Sequence, residues 1–284
     1  MNASIVITTK NRKEDLRNAL RSCIVQTAKP EIIVVDDGST DGTSEMVSKD
    51  FPLVQLYSYQ ESKGLIVRRN EGANFSTGDV IFSIDDDAEF STAYVLEQTL
   101  REFSDSRIGA IAIPYIEPHK AGLVLQKAPD EREIWITDRF IGTAYAVRRD
   151  LFIKFGSYRE NLIHQGEEGD FCIRMLNQGF NVRLGSSDSI IHHESPKRSF
   201  NRMDYYGCRN SILFIWQNAP LSALPLYLIG TTLNCIKWTF IPNRLFFRLK
   251  GLLAGYLNCF VTRRVPVSKK TFDKWRSLRK IQKI

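Results

Sequence analysis

Little in this sequence supports a cross-linked or metal-clustered scaffold. Its five cysteines (Cys23, Cys172, Cys208, Cys235, Cys259) are odd in number, scattered, and never in CxxC spacing. That argues against a disulfide framework and a cysteine-rich zinc site, and for reduced thiols. No internal repeat and no low-complexity linker interrupts the chain. No basic region or apolar signal-like segment precedes the first strand-like run, Ile5-Val6-Ile7; export is not expected, and the protein is placed in the cytoplasm. Acids are nearly absent from the last third. Residues 197–284 hold 17 Lys/Arg but only Asp204 and Asp273, a net +15, whereas residues 1–196 hold 22 Lys/Arg against 30 Asp/Glu, a net −8. An acidic body with a basic, apolar tail implies that the two halves meet different partners.

What is present reads as an ordinary globular protein, with 43% apolar and 25% charged residues over 284 positions. Strand-like runs at Ser4–Thr8, Ile32–Val35, Val54–Tyr59 and Val80–Ile84 alternate with helix-like stretches at Lys13–Gln26, Thr43–Phe51 and Leu65–Phe75. Continuous apolar strands alternating with helices predict an α/β fold, with a mostly parallel central sheet and helices on both faces. Ligands of such sheets bind beyond the carboxyl ends of the strands. Residues 1–200 are expected to form one domain. Residues 201–284 form a helical, basic extension: Ile212–Trp216, Leu221–Thr232 and Leu245–Phe260 are strongly apolar, with Arg and Lys between them. The stretch Leu221–Ile241 approaches bilayer length, but Pro225, Asn234 and Lys237 interrupt it. Helices lying on an anionic membrane surface fit it better than a span, with helices packed on the catalytic body as the alternative.

Three carboxylate clusters could carry chemistry. Asp85-Asp86-Asp87 follows the buried run Val80–Ile84, and Asp85 and Asp87 can turn toward one hard cation, Mg²⁺ or Mn²⁺. A solvated acidic turn is the competing reading. Asp36-Asp37-Gly38-Ser39 follows another buried run, where a carboxylate can accept from a base N–H, or simply close a strand-to-helix turn. Gly166-Glu167-Glu168-Gly169-Asp170 opens a helix expected over Phe171–Gln178; it could supply a general base or merely complement the helix dipole. Thr8, Thr9, Asn11 and Arg12 after the first strand are weaker signals, explicable as helix caps. His192-His193 could complete a metal shell that the aspartates leave open.

Taken together these residues resemble glycosyltransferase family 2, the inverting enzymes of GT-A fold, over about residues 1–200. Val34–Thr43 (VVDDGSTDGT) is nearly letter for letter the family's most recognisable motif, and Ser83–Ala88 (SIDDDA) fits its DXD site. Gly64 with Arg68-Arg69-Asn70 is similar to its glycine-plus-"ARN" helix, with Arg68 replacing an alanine. Phe140–Ala144 resembles the stretch lining the acceptor side, and Glu167–Arg174 (EEGDFCIR) its base motif. The resemblance implies a sugar moved from a nucleotide diphosphate donor, UDP- or dTDP-linked, to a glycan or lipid-linked acceptor. It places Thr8, Asn11, Arg12, Asp36, Asp37, Gly64, Arg69 and Asp86 at the donor, and Asp85, Asp87 and His192 at the metal. Glu168 falls at the base position where the family commonly has Asp, with Glu167 in reserve. Arg198, Tyr205, Tyr206, Arg209 and Asn210 look like a segment of bacterial members that build surface polysaccharides. A nucleotide-sugar-binding protein without catalysis is the alternative, against which Glu168 counts. A nucleic-acid partner is not expected, since apolar residues are interleaved with the tail's basic ones and no nucleic-acid module is recognisable.

Overall fold

A computed structural model describes residues 1–119, 122–193, 199–237 and 241–284. The apolar runs become buried strands. Strand β1 (Ala3–Thr9) leads into helix α1 (Lys13–Ile24), which buries Leu16, Ala19, Leu20 and Cys23 as one helical stripe. Strand β2 (Glu31–Asp36), helix α2 (Thr43–Asp50), strand β3 (Gln55–Ser58), helix α3 (Leu65–Phe75) and strand β4 (Val80–Ile84) continue the alternation. Every residue of β1 and β4 is buried, as strands covered on both faces require.

After β4 the elements shorten. They are β5 (Ala88–Phe90), α4 (Val95–Arg101), β6 (Ile108–Ala112), β7 (Tyr115–Ile116), β8 (Val124–Leu125), β9 (Trp135–Thr137), β10 (Ala144–Arg148) and α5 (Arg149–Lys154). Then come α6 (Glu167–Asn177), β11 (Asn181–Leu184) and β12 (Ile190–His192). Helix α6 begins four residues before the expected start at Phe171. Gly166, left-handed at φ 88°, turns the chain so that Glu167 and Glu168 sit inside the first turn.

The last third is helical: α7 (Phe200–Asn218), α8 (Leu224–Ile236), α9 (Pro242–Cys259) and α10 (Lys269–Ser277), followed by a two-residue strand β13 (Gln282–Lys283). Ile212, Leu213 and Ile215 of α7, with Phe272 and Trp275 of α10, are at most 4% exposed and belong to the same cores as the strands. Among the described residues no helix is long and apolar enough to cross a membrane. Arg198 lies outside the described residues, as do positions 238–240 of the expected apolar run.

Among the described residues a nine-stranded sheet runs β13-β9-β11-β6-β10-β4-β1-β2-β3. One half, β4-β1-β2-β3, is parallel throughout. Strand β10 enters antiparallel between β4 and β6, and β11 returns parallel to β6. A four-stranded sheet, β5-β12-β7-β8, stands at the carboxyl end of β4 and brings His192 opposite Ala88. The functional edge is therefore assembled from the ends of β1, β2 and β4, the loop entering β10, and β12.

Candidate active site

The acidic triplet after β4 is tied down from three directions. Asp85 accepts from Arg69 Nη2 at 2.6 Å and from Thr143 Oγ1 at 2.9 Å. Asp86 accepts from Thr9 Oγ1 at 2.8 Å, and burial pushes its carboxyl up to about 7 against the pull of Arg12 and Thr9. Asp87 lies 2.7 Å from Arg12 Nη1 and 3.3 Å from His192 Nε2. Burial would raise Asp87, but His192 and Arg12 hold it below the ordinary aspartate range.

Ligand atoms of Asp85, Asp87 and His192 all lie within 4.8 Å of one another. Two carboxylates and an imidazole are a donor set that suits Mn²⁺ or another divalent cation of its hardness. The Nδ1 of His192 meets Glu117 Oε1 at 3.3 Å, which turns Nε2 toward the aspartates. Glu117, 75 residues away in sequence, carries no local motif and was not among the expected site residues. Only the pairing of β7 with β12 brings it to the histidine.

The turns after β1 and β2, expected to meet the nucleotide, are a set of interlocked loops. Asn11, left-handed at φ 55°, receives a hydrogen bond at Oδ1 from Thr40 N at 2.7 Å, while its own N–H reaches Ser39 Oγ at 2.8 Å. Asp36 caps Ser39 N at 2.9 Å and fixes the turn after β2. Thr8 is buried in β1 beside Val35. Asp37, expected either to accept from a base N–H or to close the turn after β2, accepts from Ser62 Oγ, Lys63 N (2.7 Å), Gly64 N (2.9 Å) and Arg68 Nε (2.7 Å). Four donors occupy the four acceptor positions of a carboxylate. Burial opposes the charge, yet these bonds hold Asp37 below the usual range. Arg68, the departure from the family's alanine, is fully buried, stacked 3.5 Å over the Tyr59 ring and bound to Glu61 O and Glu71. Gly64 begins α3 at φ 92°, a conformation that favours glycine.

Arg69 joins the two halves of the site. Its guanidinium contacts Asp85, Gly142 O at 3.2 Å, Glu167 Oε1 at 3.4 Å and Glu168 Oε1 at 3.9 Å. Glu167 is 2% exposed, and its Oε2 has no hydrogen-bond partner among the described residues. Burial, then the charge of Glu168, pushes it up to about 8. Glu168 is raised too, by burial against the opposing pull of Arg69. Of the two, Glu168 lines a cavity of about 680 Å³ and Glu167 does not. Gly142 lies so close that any side chain there would run into Glu168 and Arg69.

The turns after β1 and β2, the Asp85–Asp87–His192 cluster and the buried Glu167–Glu168 pair thus meet along one edge of the sheet. Residues 4–156 match the model of glycosyl transferase family 2. The chain is 26% identical over 221 residues to a glucosyl-dolichyl phosphate glucuronosyltransferase of Haloferax volcanii, covering 68% of this chain and 69% of that one. Two other curated relatives align over about a third of this chain, which spans 14% and 29% of their length. Among solved structures, a Pyrobaculum calidifontis mannosyltransferase in complex with GDP-Man and Mn²⁺ superposes with TM-score 0.63 at 18% identity, covering 97% of this chain and 79% of that one. S. aureus TarS 1-349 in complex with UDP gives TM-score 0.61 at 16% identity, covering 98% and 90%. At those identities the likeness is one of fold. The chain belongs to glycosyl transferase family 2.

Proposed function

We propose that the protein transfers a sugar from a nucleotide diphosphate donor to an acceptor hydroxyl with inversion at the anomeric carbon. The observation that carries this is Arg69, which ties the Asp85–Asp87–His192 cluster to the Glu167–Glu168 pair through one guanidinium. Asp85, Asp87 and His192 would hold a divalent cation, which when bound supplies Lewis-acid neutralisation of the departing diphosphate. Arg12 and Arg69 add positive charge on the same side. Glu168 accepts the proton of the acceptor hydroxyl as that oxygen attacks the anomeric carbon. The bond to the diphosphate oxygen breaks with its electron pair, and a single displacement results. Glu167 stays behind, its elevated proton affinity limiting the charge packed beside Glu168. The base of a uridine or thymidine diphosphate sugar would rest against Thr8 and the 62–64 loop that Asp37 organises.

A screen of nucleotide sugars with Mn²⁺, followed by the anomeric configuration of the product by NMR, tests the reaction. A retained anomeric configuration, or no turnover of any donor, would overturn it.

The acceptor we propose is lipid-linked, met at a membrane surface by the cytoplasmic protein. Helix α8 has no buried residue, and Leu226, Ile229 and Leu233 are 60% or more exposed along one side of it. In α9, Phe246, Leu249, Leu253 and Leu257 form a second exposed apolar stripe. Lys237 follows α8 and Lys250 lies in α9, and the +15 tail suits an anionic lipid face at about 1 kcal/mol per basic residue near the surface. Flotation with anionic liposomes tests this: binding should partly survive high salt, and a protein that ignores anionic vesicles would return both stripes to a packing role.

A further inference from the structure

The cavity beside Glu168 is walled by α7, α8, α9 and α10. Phe140 and Ile141 line it together with the charged Asp138 and Arg139, and Arg244 and Arg248 of α9 line it with Asp204 of α7. Both arginines bind one carboxylate. Arg244 reaches Asp204 through Nε at 2.7 Å and Nη2 at 3.1 Å, and Arg248 through Nε at 2.8 Å with Nη1 on Cys235 O at 3.0 Å. Two cations against one anion leave a net positive charge. Arg244 Nη1 and Arg248 Nη2 make no hydrogen bond to the protein among the described residues.

This arrangement is built. Positions 244, 248, 251 and 255 share one side of α9. A side chain at Gly251 would collide with the Tyr205 carbonyl, and a Cβ at Gly255 would stand 2.9 Å from Arg209 O. The glycines therefore let α9 lie directly on α7 and aim the arginines at Asp204. The opposite side of α9 is the exposed apolar stripe.

We propose that the Arg244–Asp204–Arg248 cluster binds the phosphate of the acceptor, a phosphate-bearing lipid whose chain leaves past the apolar faces of α8 and α9. This rests on the reading of Glu168 as the acceptor-side base. Guanidinium groups suit phosphate because their planar donors match its oxygens in pairs.

The experiment is a calorimetric titration of full-length protein in EDTA with decyl phosphate and, separately, decyl glucoside. EDTA removes any divalent cation that could bring phosphate to Asp85, Asp87 and His192, and the arginine substitutions assign the remaining binding to the cavity. Decyl phosphate is expected to bind at least about tenfold tighter, the difference shrinking with salt. Arg248→Gln should abolish the preference while thermal unfolding shows a folded protein. If that variant is destabilised, Arg244→Gln, which leaves Asp204 paired with Arg248, should reduce it. Equal binding of the two amphiphiles by the wild type, or a preference that survives both substitutions, would overturn the proposal. Donor hydrolysis with Mn²⁺, run in parallel, separates the outcomes: its failure strikes the proposed reaction, whereas intact hydrolysis without phosphate preference strikes only this site.

Discussion

Glu168→Gln tests the proposed base. The amide keeps the carboxylate's shape and its place 3.9 Å from Arg69, but it has no basic oxygen for the acceptor proton. Loss of a positioned general base costs about a hundred- to ten-thousand-fold in rate, roughly 3 to 5 kcal/mol on the barrier. The structure adds a second consequence. Glu167 is raised first by burial and then by the Glu168 charge, so neutralising Glu168 lets Glu167 ionise more readily beside Arg69. Arg69 therefore keeps an anionic partner at 3.4 Å, and its hold on Asp85 should survive. Nucleoside diphosphate with Mn²⁺ should bind the variant within about twofold of wild type by calorimetry, while single-turnover transfer falls by at least about a hundredfold. The control is Glu167→Gln, since Glu167 does not line the cavity beside Glu168. If Glu168→Gln transfers at near wild-type rate and Glu167→Gln does not, the base has been placed one residue too late.

Asp87→Asn should weaken Mn²⁺ binding by at least about tenfold, read by electron paramagnetic resonance, with the fold intact; unchanged affinity removes Asp87 from the metal site. Transfer should rise with pH through an apparent pKa above the ordinary glutamate range, since the working form of the Glu167–Glu168 pair is ionised and burial favours the proton; a limb at the usual carboxylate value would contradict the burial argument. By the same sign, a buried carboxyl whose folded pKa is raised costs stability as pH climbs from the ordinary glutamate value toward about 8, so thermal scans of Glu167→Gln should show a flatter pH dependence than wild type. Gly251→Val should force α9 off α7 and cost about 1 to 3 kcal/mol, a fall of several degrees in Tm; an unchanged Tm would mean that α9 does not depend on close approach.

Much of the N-terminal half was legible because each element there answers to a local rule. Helix α3 spans Leu65–Phe75, as expected from its pattern, since Gly64 and the extended Ser76 bound it. Strands β1, β2 and β4 followed from unbroken apolar runs. The triplet at 85–87 and the glutamates at 167–168 were readable as carboxylates at the ends of buried elements. Other features were set by partners distant in sequence. Nothing near Glu117 announces that it will orient His192. Asp37 looks like a free acceptor until Arg68 and the 62–64 backbone are folded onto it. Strands β7 and β8 are two residues each, too short for a period to show. The apolar tail showed helices, but the partition of α9 into a glycine–arginine side and an exposed side appears only with α7 in place.

Strand β10 also bears on how such a site can change. Because it runs antiparallel to β4, Ala144 at its start lies beside Ile84 at the end of β4. The chain thus reaches the working edge on entering β10, and it leaves β10 at the far edge. The segment before β10, which supplies Thr143 and Gly142, can lengthen without altering the register of β1, β2 or β4. Under the proposed reaction, variation in the acceptor could accumulate in the 122–141 segment and variation in the donor in the turns after β1 and β2. Arg69 and Thr143 are exceptions. Arg69 joins Asp85 to Glu167 and Thr143 donates to Asp85, so these are positions at which a change of donor and a change of acceptor would have to be reconciled.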